Sequence, residues 1–243
     1  MPHTQAYEND LAYIHDKGFG KFARSSAPGL LHLLQKNGIT GGLVVDLGCG
    51  SGIWARELVD NGYEVIGVDL SPAMIELARQ RVPKAQFHVK SFLEVPVPPC
   101  RAVTALGEVF NYQFDPNNSF RALQRVCKGV FDALKPKGLL VFDIAEPGRC
   151  KEFTQRFMEG EDWACLVEFR HDVARRQLTR RIVSFRKAGD GYRRHEETHI
   201  QQLYPGTKVA EMLRAIGFRA RLARSYGKHP LSPGVVALVA RKP

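Results

Sequence analysis

No run of roughly 18 apolar residues occurs anywhere in the 243 residues, which excludes a membrane-spanning helix. The opening stretch, MPHTQAYENDLAYIHD, carries neither the basic n-region nor the apolar h-region of a secretion signal, so the expected location is the cytoplasm. Cysteine pairs are missing too: Cys49, Cys100, Cys127, Cys150 and Cys165 are scattered, odd in number and without a C-x-x-C spacing. They read as reduced thiols, not as a disulfide frame or a zinc knuckle. There is no Lys/Arg-rich run, no low-complexity tail and no internal repeat, which weakens a nucleic-acid reading. What is present is an ordinary globular composition, 44% hydrophobic and 25% charged, long enough to bury a full core. The net charge of +10 is unevenly placed. Residues 1–148 hold 15 Lys/Arg against 15 Asp/Glu, whereas residues 149–243 hold 20 against 10. That excess suits an anionic substrate, an acidic partner or nucleic acid, and equally a solvated basic face.

The first part alternates between strand-like and helical stretches. GLVVDLG (42–48) is a continuous apolar strand and YEVIGVDL (63–70) is the next. Between them SGIWARELVDNG (51–62) has helical spacing at Ile53, Ala55, Leu58 and Val59, with Gly62 placed as a C′ glycine. SPAMIELARQRV (71–82) opens with Ser71 as N-cap and Pro72 at N1, the favoured order at a helix start. AQFHVK, RAVTAL, a helical 119–134 stretch and KGLLVFDI continue the alternation. Repeated strand–helix units with uninterrupted apolar strands imply a parallel sheet covered by helices on both faces. From Arg149 to Tyr204 the texture changes. WACLVEFRHDV puts Trp163, Cys165, Val167, Phe169 and Val173 on one side, and QLTRRIVSFRK and YRRHEETHIQQLY follow after turn signals. The expectation is a three-stranded antiparallel meander inserted after the fifth parallel strand. TKVAEMLRAIGF then reads as a helix ended by Gly217, and FRARLARSY and GVVALVAR as closing strands.

VVDLGCGSG (44–52) is a glycine-rich turn between strand and helix, where ligands bind in open α/β sheets. Glycines 48, 50 and 52 let the backbone approach a ligand with no Cβ in the way. A dinucleotide fingerprint needs a third glycine where Ile53 stands, so the spacing points away from a nicotinamide cofactor. Asp46 precedes the turn, where it can hold a cationic amine, and Asp69 ends the second strand, where a carboxylate can accept both hydroxyls of a ribose. The alternative is a plain tight turn with a capping aspartate. VVDLGCGSG, VIGVDLSPAMIELAR (65–79), ALGEVFNY (105–112) and LKPKGLLVFDI (134–144) together resemble the class I S-adenosylmethionine-dependent methyltransferases, in that family's order and spacing.

The resemblance covers roughly residues 40–145 and the final two strands. It implies a doubly wound, mostly parallel, Rossmann-like seven-stranded sheet that binds S-adenosylmethionine and releases S-adenosylhomocysteine. By position, Gly48, Cys49, Gly50 and Gly52 pass under the methionine part of the cofactor, with Asp46 near its amino group. Asp69 and Leu70 bind the ribose side, Met74 packs on the adenine, and Gly107 and Glu108 stand beside the methyl group. The family usually has an acidic residue reading the adenine amine where this chain has Ser91 and Phe92. The implied division is an N-terminal helical lid over residues 1–40, a cofactor-binding core over 41–148 and 205–243, and an inserted subdomain over 149–204.

Methyl transfer is an in-line displacement, so positioning dominates and a base is needed only for a protonated acceptor. Candidates on the acceptor side are Tyr13 and His15 of the lid, with Tyr7, Phe19 and Phe22 beside them, and Asn111 and Tyr112 after the fourth strand. The lid residues are equally readable as the apolar side of a packed helix. No NPPY-like tetrapeptide follows the fourth strand, which argues against base-amine methylation. His195 to His199, HEETH, match a zinc-peptidase signature that requires a helix. Here Gly191 and Pro205 bound the segment at strand length, so no metal is expected, and at period two His195, Glu197 and His199 share one side. The segment is similar to an E-x-H-x-Q-R-x-Y strand of some small-molecule methyltransferases, matched by Glu197, His199, Gln201 and Tyr204 and departing at Gln202. That row faces either substrate or water. The expected protein is thus a cytoplasmic methyltransferase, monomer or homodimer, acting on N or O of a small molecule. RNA or protein acceptors, and a non-catalytic module that binds the methyl donor or its product, are the alternatives.

Overall fold

The computed structural model describes residues 6–150 and 153–243, so residues 1–5 of the expected lid and 151–152 of the expected insert lie outside the described residues. Five parallel strands build the centre: β1 (Gly42–Leu47), β2 (Tyr63–Asp69), β3 (Gln86–Val89), β4 (Cys100–Ala105) and β5 (Leu134–Ala145). Two closing strands, β10 (Arg219–Ala223) and β13 (Val235–Arg241), complete a seven-stranded sheet of order β10-β13-β5-β4-β1-β2-β3. β13 runs antiparallel to β5 and to β10. Neighbouring residues on these strands serve opposite faces. Val44, Leu139 and Val141 pack with α2 (Lys21–Lys36), α3 (Ile53–Asp60) and α4 (Pro72–Arg81), whereas Val45, Leu140 and Phe142 pack with α5 (Phe120–Ala133) and α6 (Gly206–Ile216). Both faces are apolar because both are covered, which is why the strands read as unbroken apolar runs.

Local signals place the helices as expected. Ser71 accepts the Met74 amide at 3.1 Å and Pro72 follows it, so α4 starts where the cap chemistry says. Gly62 and Gly217 follow α3 and α6 with φ of 85° and 120°.

The insert is a four-stranded antiparallel sheet of order β6-β7-β8-β9: β6 (Phe153–Glu159), β7 (Trp163–Asp172), β8 (Gln177–Ala188) and β9 (Gly191–Gln202). Three strands were expected from the sequence. β6 escapes the pattern because it is an edge strand with Phe153 and Phe157 exposed, so no apolar row marks it. Val173 also departs from expectation: it lies beyond β7 in the turn and is 70% exposed. Trp163, Cys165, Val167 and Ile182 do form the inward row, and it packs against Leu11 and Ile14 of the lid.

The lid comprises α1 (Asn9–Ile14), a π-helical turn (His15–Phe19) and the first part of α2. Arg186 and Arg193 of the insert grip Asp10, and the Tyr13 hydroxyl donates to Asp162 at 2.8 Å. Behind the lid, a short hairpin of β11 (Ser225–Tyr226) and β12 (His229–Pro230) meets α2 at Gly29. A Cβ on Gly29 would stand 2.3 Å from the Tyr226 carbonyl, so only glycine allows this approach. Gly29→Ala should therefore destabilise the chain by about 1–3 kcal/mol through overpacking. Urea unfolding should show a lower midpoint at unchanged m-value, and an unaltered midpoint would contradict the contact.

Candidate active site

At the carboxyl ends of β1, β2 and β4 the sheet opens into a cavity of about 440 Å³, roofed by the lid and closed on the far side by the insert. Its floor is the glycine turn. Gly48 and Gly50 have φ of 68° and 53°, and a side chain at Gly50 would meet nothing within 4 Å, so a strip of bare backbone faces the cavity. Asp69 is fixed beneath this turn by two amides, Gly50 N–H to Oδ2 at 2.8 Å and Ser71 N–H to Oδ1 at 2.9 Å. Burial pushes its carboxyl up despite these donors. Asp46 accepts from the Thr104 hydroxyl at 2.6 Å and is pushed up to about 7, chiefly by burial. Asp143 of β5 accepts from the Gly107 and Glu108 amides and from the Tyr226 hydroxyl, and burial pushes it up to about 6. Buried carboxylates with raised pKa around a bare backbone strip suit a ligand that brings positive charge and hydroxyl donors.

Cofactor-side candidates lining this cavity are Asp46, Gly48, Cys49, Gly50, Asp69 and Leu70. Met74, Ser91, Phe92, Gly107 and Glu108 line it as well. Gly52 does not: it caps α3 at φ 75° and a Cβ there would press on Ala78 of α4 at 3.0 Å, so its role is packing. Beside Ser91 stands a residue the sequence did not single out. The Ser91 hydroxyl donates to Asp115, which reaches the cavity from the loop after β4. An acidic group thus stands next to the place where the family pattern has one and this chain has Ser91 and Phe92.

On the acceptor side, His15 and Tyr112 line the cavity, as do Tyr7, Phe19 and Phe22. Burial lowers His15 to about 4, and its Nδ1 is buried without a partner. The imidazole is therefore neutral at pH 7, with a ring nitrogen open to a hydrogen bond. Four other candidates are placed elsewhere. Asn111 is fully buried and clamps backbone, donating to Ala145 O and Gln202 O and accepting from Ala145 N. Tyr13 lies in the lid–insert contact with Arg186 stacked 3.8 Å from its ring centroid. Glu197 and His199 stand just behind the cavity wall.

The inward side of β9 answers the question raised by HEETH. His199 is fully buried, its Nε2 lies 2.8 Å from Glu197, and its ring packs on Tyr7 and Phe114. Burial lowers its pKa, although Glu197 pulls the other way. The Glu197 carboxylate accepts the amides of Tyr7 and Glu8 at 3.0 and 2.9 Å, and His195 reaches the Glu8 carboxylate at 3.0 Å. Tyr7 is held at φ 47°, a conformation disfavoured for a tyrosine, and its carbonyl accepts from Ser71 at 2.8 Å. The row therefore faces the lid and anchors its first residues, while Glu196 on the opposite side pairs with Arg181 and Arg194 in solvent. A second strap ties the π turn to the floor, with Asp16 accepting from Ser51 and Arg81.

Glu108 joins these parts. At φ 63° it turns its carboxylate away from the sheet to accept from Arg149 at 3.1 Å, from Arg180 at 2.5 Å and from Gln201 at 2.8 Å. Burial pulls its pKa up, but the guanidinium groups of Arg180 and Arg149 overcome this and hold it low. Arg180 was not singled out by sequence, yet a signal existed: at period two it shares the inward row of β8 with Leu178, Ile182 and Ser184.

A mostly parallel sheet of this order, with a bare glycine turn after β1 and an aspartate closing β2, defines a Rossmann-like fold with its ligand site at the strand ends. A family model described as a methyltransferase domain matches residues 44–138. YqeM of Bacillus subtilis (strain 168), named as a methyltransferase, is 29% identical over 73% of this chain and 74% of its own. The dTDP-3-amino-3,6-dideoxy-alpha-D-glucopyranose N,N-dimethyltransferase of Streptomyces fradiae is 26% identical over 87% of this chain and 84% of its own. Among solved structures, an S-adenosylmethionine-dependent methyltransferase from Clostridium acetobutylicum ATCC 824 superposes with a TM-score of 0.82 at 17% identity, covering 96% of this chain and 98% of that one. Residues 44–138 thus form a methyltransferase domain, and S-adenosylmethionine is its methyl donor.

The lid anchor makes a measurable prediction. Glu197→Ala removes the acceptor of two lid amides, so hydrogen exchange at residues 7–14 should accelerate at least about tenfold, the equivalent of losing ~1.4 kcal/mol of local protection. Unchanged protection there would mean that β9 does not hold the lid.

Proposed function

We propose that the protein transfers the methyl group of S-adenosylmethionine to nitrogen or oxygen of a small-molecule acceptor enclosed between sheet, lid and insert. The observation that carries this reading is the single cavity bounded at once by the glycine turn, by Tyr7 and His15 of the lid and by Arg180 of β8. An acceptor there is shut in on three sides, which suits a small molecule better than a polymer. The Streptomyces fradiae relative, which by its name dimethylates an amino sugar, supports the same class. Against an RNA or protein acceptor, four outward-facing arginines of the insert are engaged by carboxylates, Arg186 and Arg193 by Asp10 and Arg181 and Arg194 by Glu196. The division into a lid over 1–40, a core over 41–148 and 205–243, and a substrate-side insert over 149–204 belongs to this reading. So do a cytoplasmic setting, which agrees with five free thiols and with no membrane-crossing helix among the described residues, and a monomer or homodimer.

The residues fit the methyl donor. Bound S-adenosylmethionine would supply an electrophilic methyl on a sulfonium, attacked in line by the acceptor's lone pair as the thioether of S-adenosylhomocysteine leaves. Asp69 is assigned to the ribose hydroxyls, Gly48 and Gly50 to the methionine portion, Asp46 to the neighbourhood of its amino group and Met74 to the adenine. Asp115 is assigned to the adenine amine in place of the residue missing at Ser91 and Phe92. His15 is assigned the positioning of the acceptor through a hydrogen bond: it is neutral, lines the cavity and has a free Nδ1. His15→Phe should lower kcat by about 100-fold while leaving donor affinity unchanged.

Transfer of tritium-labelled methyl to small molecules, but not to nuclease-sensitive or protein fractions, tests the acceptor class; label found only in RNA or protein would overturn it. Donor binding has a pH signature of its own. Asp46 and Asp143 hold protons below about 7 and about 6, so a cationic donor meets ionised carboxylates only above this window. Calorimetry should find affinity rising from pH 5.5 to pH 8 with net proton release in between, and Asp46→Asn should remove part of that release. Affinity falling over that range would contradict the assignment.

A further inference from the structure

We propose that the acceptor is an organic anion whose oxyanion group, carboxylate or phosphate, is held by Arg180 and Arg156 while its apolar part lies on the inner face of the insert. The inference rests on the cavity's being the methyl-transfer site and names what that site accepts.

The cavity is divided electrostatically. Around the donor half stand Asp46, Asp69 and Asp115, with Lys90 nearby. Around the acceptor half stand three guanidinium groups, Arg149, Arg156 and Arg180, and two carboxylates, Glu108 and, beneath it, Asp143. Three positive charges against two negative leave an excess of one. Glu197, the next carboxylate outward, is occupied by the Tyr7 and Glu8 amides and by His199. A cationic excess in a partly desolvated pocket is costly unless an anion completes it.

Each arginine's bonding shows what remains free. Arg149 gives Nε to Glu108 and Nη1 to Pro233 O at 3.0 Å. Arg180, with a side chain only 16% exposed, gives Nη2 to Glu108 and Nη1 to the Tyr112 hydroxyl at 2.7 Å, but its Nε is buried with no partner. Arg156, at the mouth on β6, has no carboxylate partner among the described residues. Both guanidinium groups lie on one ring, 5.5 Å (Arg156) and 5.7 Å (Arg180) from the Phe169 centroid, so a single aromatic side chain positions the pair. Elsewhere on the insert, Arg170, Arg175, Arg181, Arg186, Arg193 and Arg194 all meet carboxylates. The cavity surfaces from Met158, Cys165, Val167 and Ile182 are apolar. Planar guanidinium donors match a carboxylate or phosphate, and the apolar wall matches a hydrocarbon or ring attached to it.

Calorimetry on protein saturated with S-adenosylhomocysteine tests the proposal with three probes sharing one tail: hexanoate, hexyl phosphate and hexanamide. At least one anion should bind about tenfold or more tighter than the amide, the value of a charge-assisted hydrogen bond. The ranking of the two anions identifies the group the site prefers. Arg180→Gln and Arg156→Gln should each reduce the preference to about threefold or less with S-adenosylhomocysteine affinity retained. Arg156 is exposed, so its variant keeps the test open if Arg180→Gln fails to fold. Equal or better binding of the amide, no binding of any probe, or a preference surviving in Arg156→Gln would overturn the proposal. Failure of S-adenosylhomocysteine to bind the unaltered protein would instead sink the methyl-transfer reading of the cavity.

Discussion

The buried carboxylate of Glu108 is the interaction on which the site depends. Its backbone leaves β4 in a left-handed conformation fixed by Asp143, and its side chain draws donors from the β5–β6 connection, from β8 and from β9. A parallel sheet and an antiparallel insert have no common ladder, so something polar must set their relative position. A carboxylate that accepts from two guanidinium groups and an amide does this in a partly dry environment, where such bonds are stronger than in water. The same network leaves the Arg180 Nε without a partner in a residue that lines the cavity, so the joint between the two sheets is also part of the binding surface.

The lid is assembled on a second set of carboxylates. Glu197 holds its first amides, Asp10 its outer face and Asp16 its π turn. Two of these contacts join the lid to the insert and the third joins it to the glycine turn. Exchange of cofactor and acceptor requires some of these bonds to open, and those of Asp10 with Arg193 are the most exposed to water, with the Arg193 side chain 59% accessible. Exposed ion pairs are weak, so opening is expected to begin there.

Much of this was readable from the chain. Buried strands covered on both faces run apolar without interruption, and Ser71-Pro72 and Gly217 carry cap chemistry that acts locally, so the core elements fall where their residues say. Period-two reading also put His195, Glu197 and His199 on one side of a strand and not on a metal-binding helix. What they face was beyond local rules, because the partner of Glu197 is 190 positions away. Edge strand β6 left no pattern because its aromatic residues point to solvent. Asn111 looked like an acceptor-facing amide and is a backbone clamp, since a short polar side chain reads alike in both roles. Asp143, a lone carboxylate inside KGLLVFDI, was a signal passed over: a buried acid in an apolar strand must have partners.

The central claim is that one cavity aligns the methyl donor with an acceptor chamber walled by lid and insert. A crystal structure of the S-adenosylhomocysteine complex tests it most directly. The account predicts the ribose hydroxyls on Asp69, the homocysteine tail over Gly48 and Gly50, and the sulfur opening toward His15, Tyr112 and Arg180. A ligand bound with its sulfur turned from that chamber, or with Asp69 left out of contact, would contradict it.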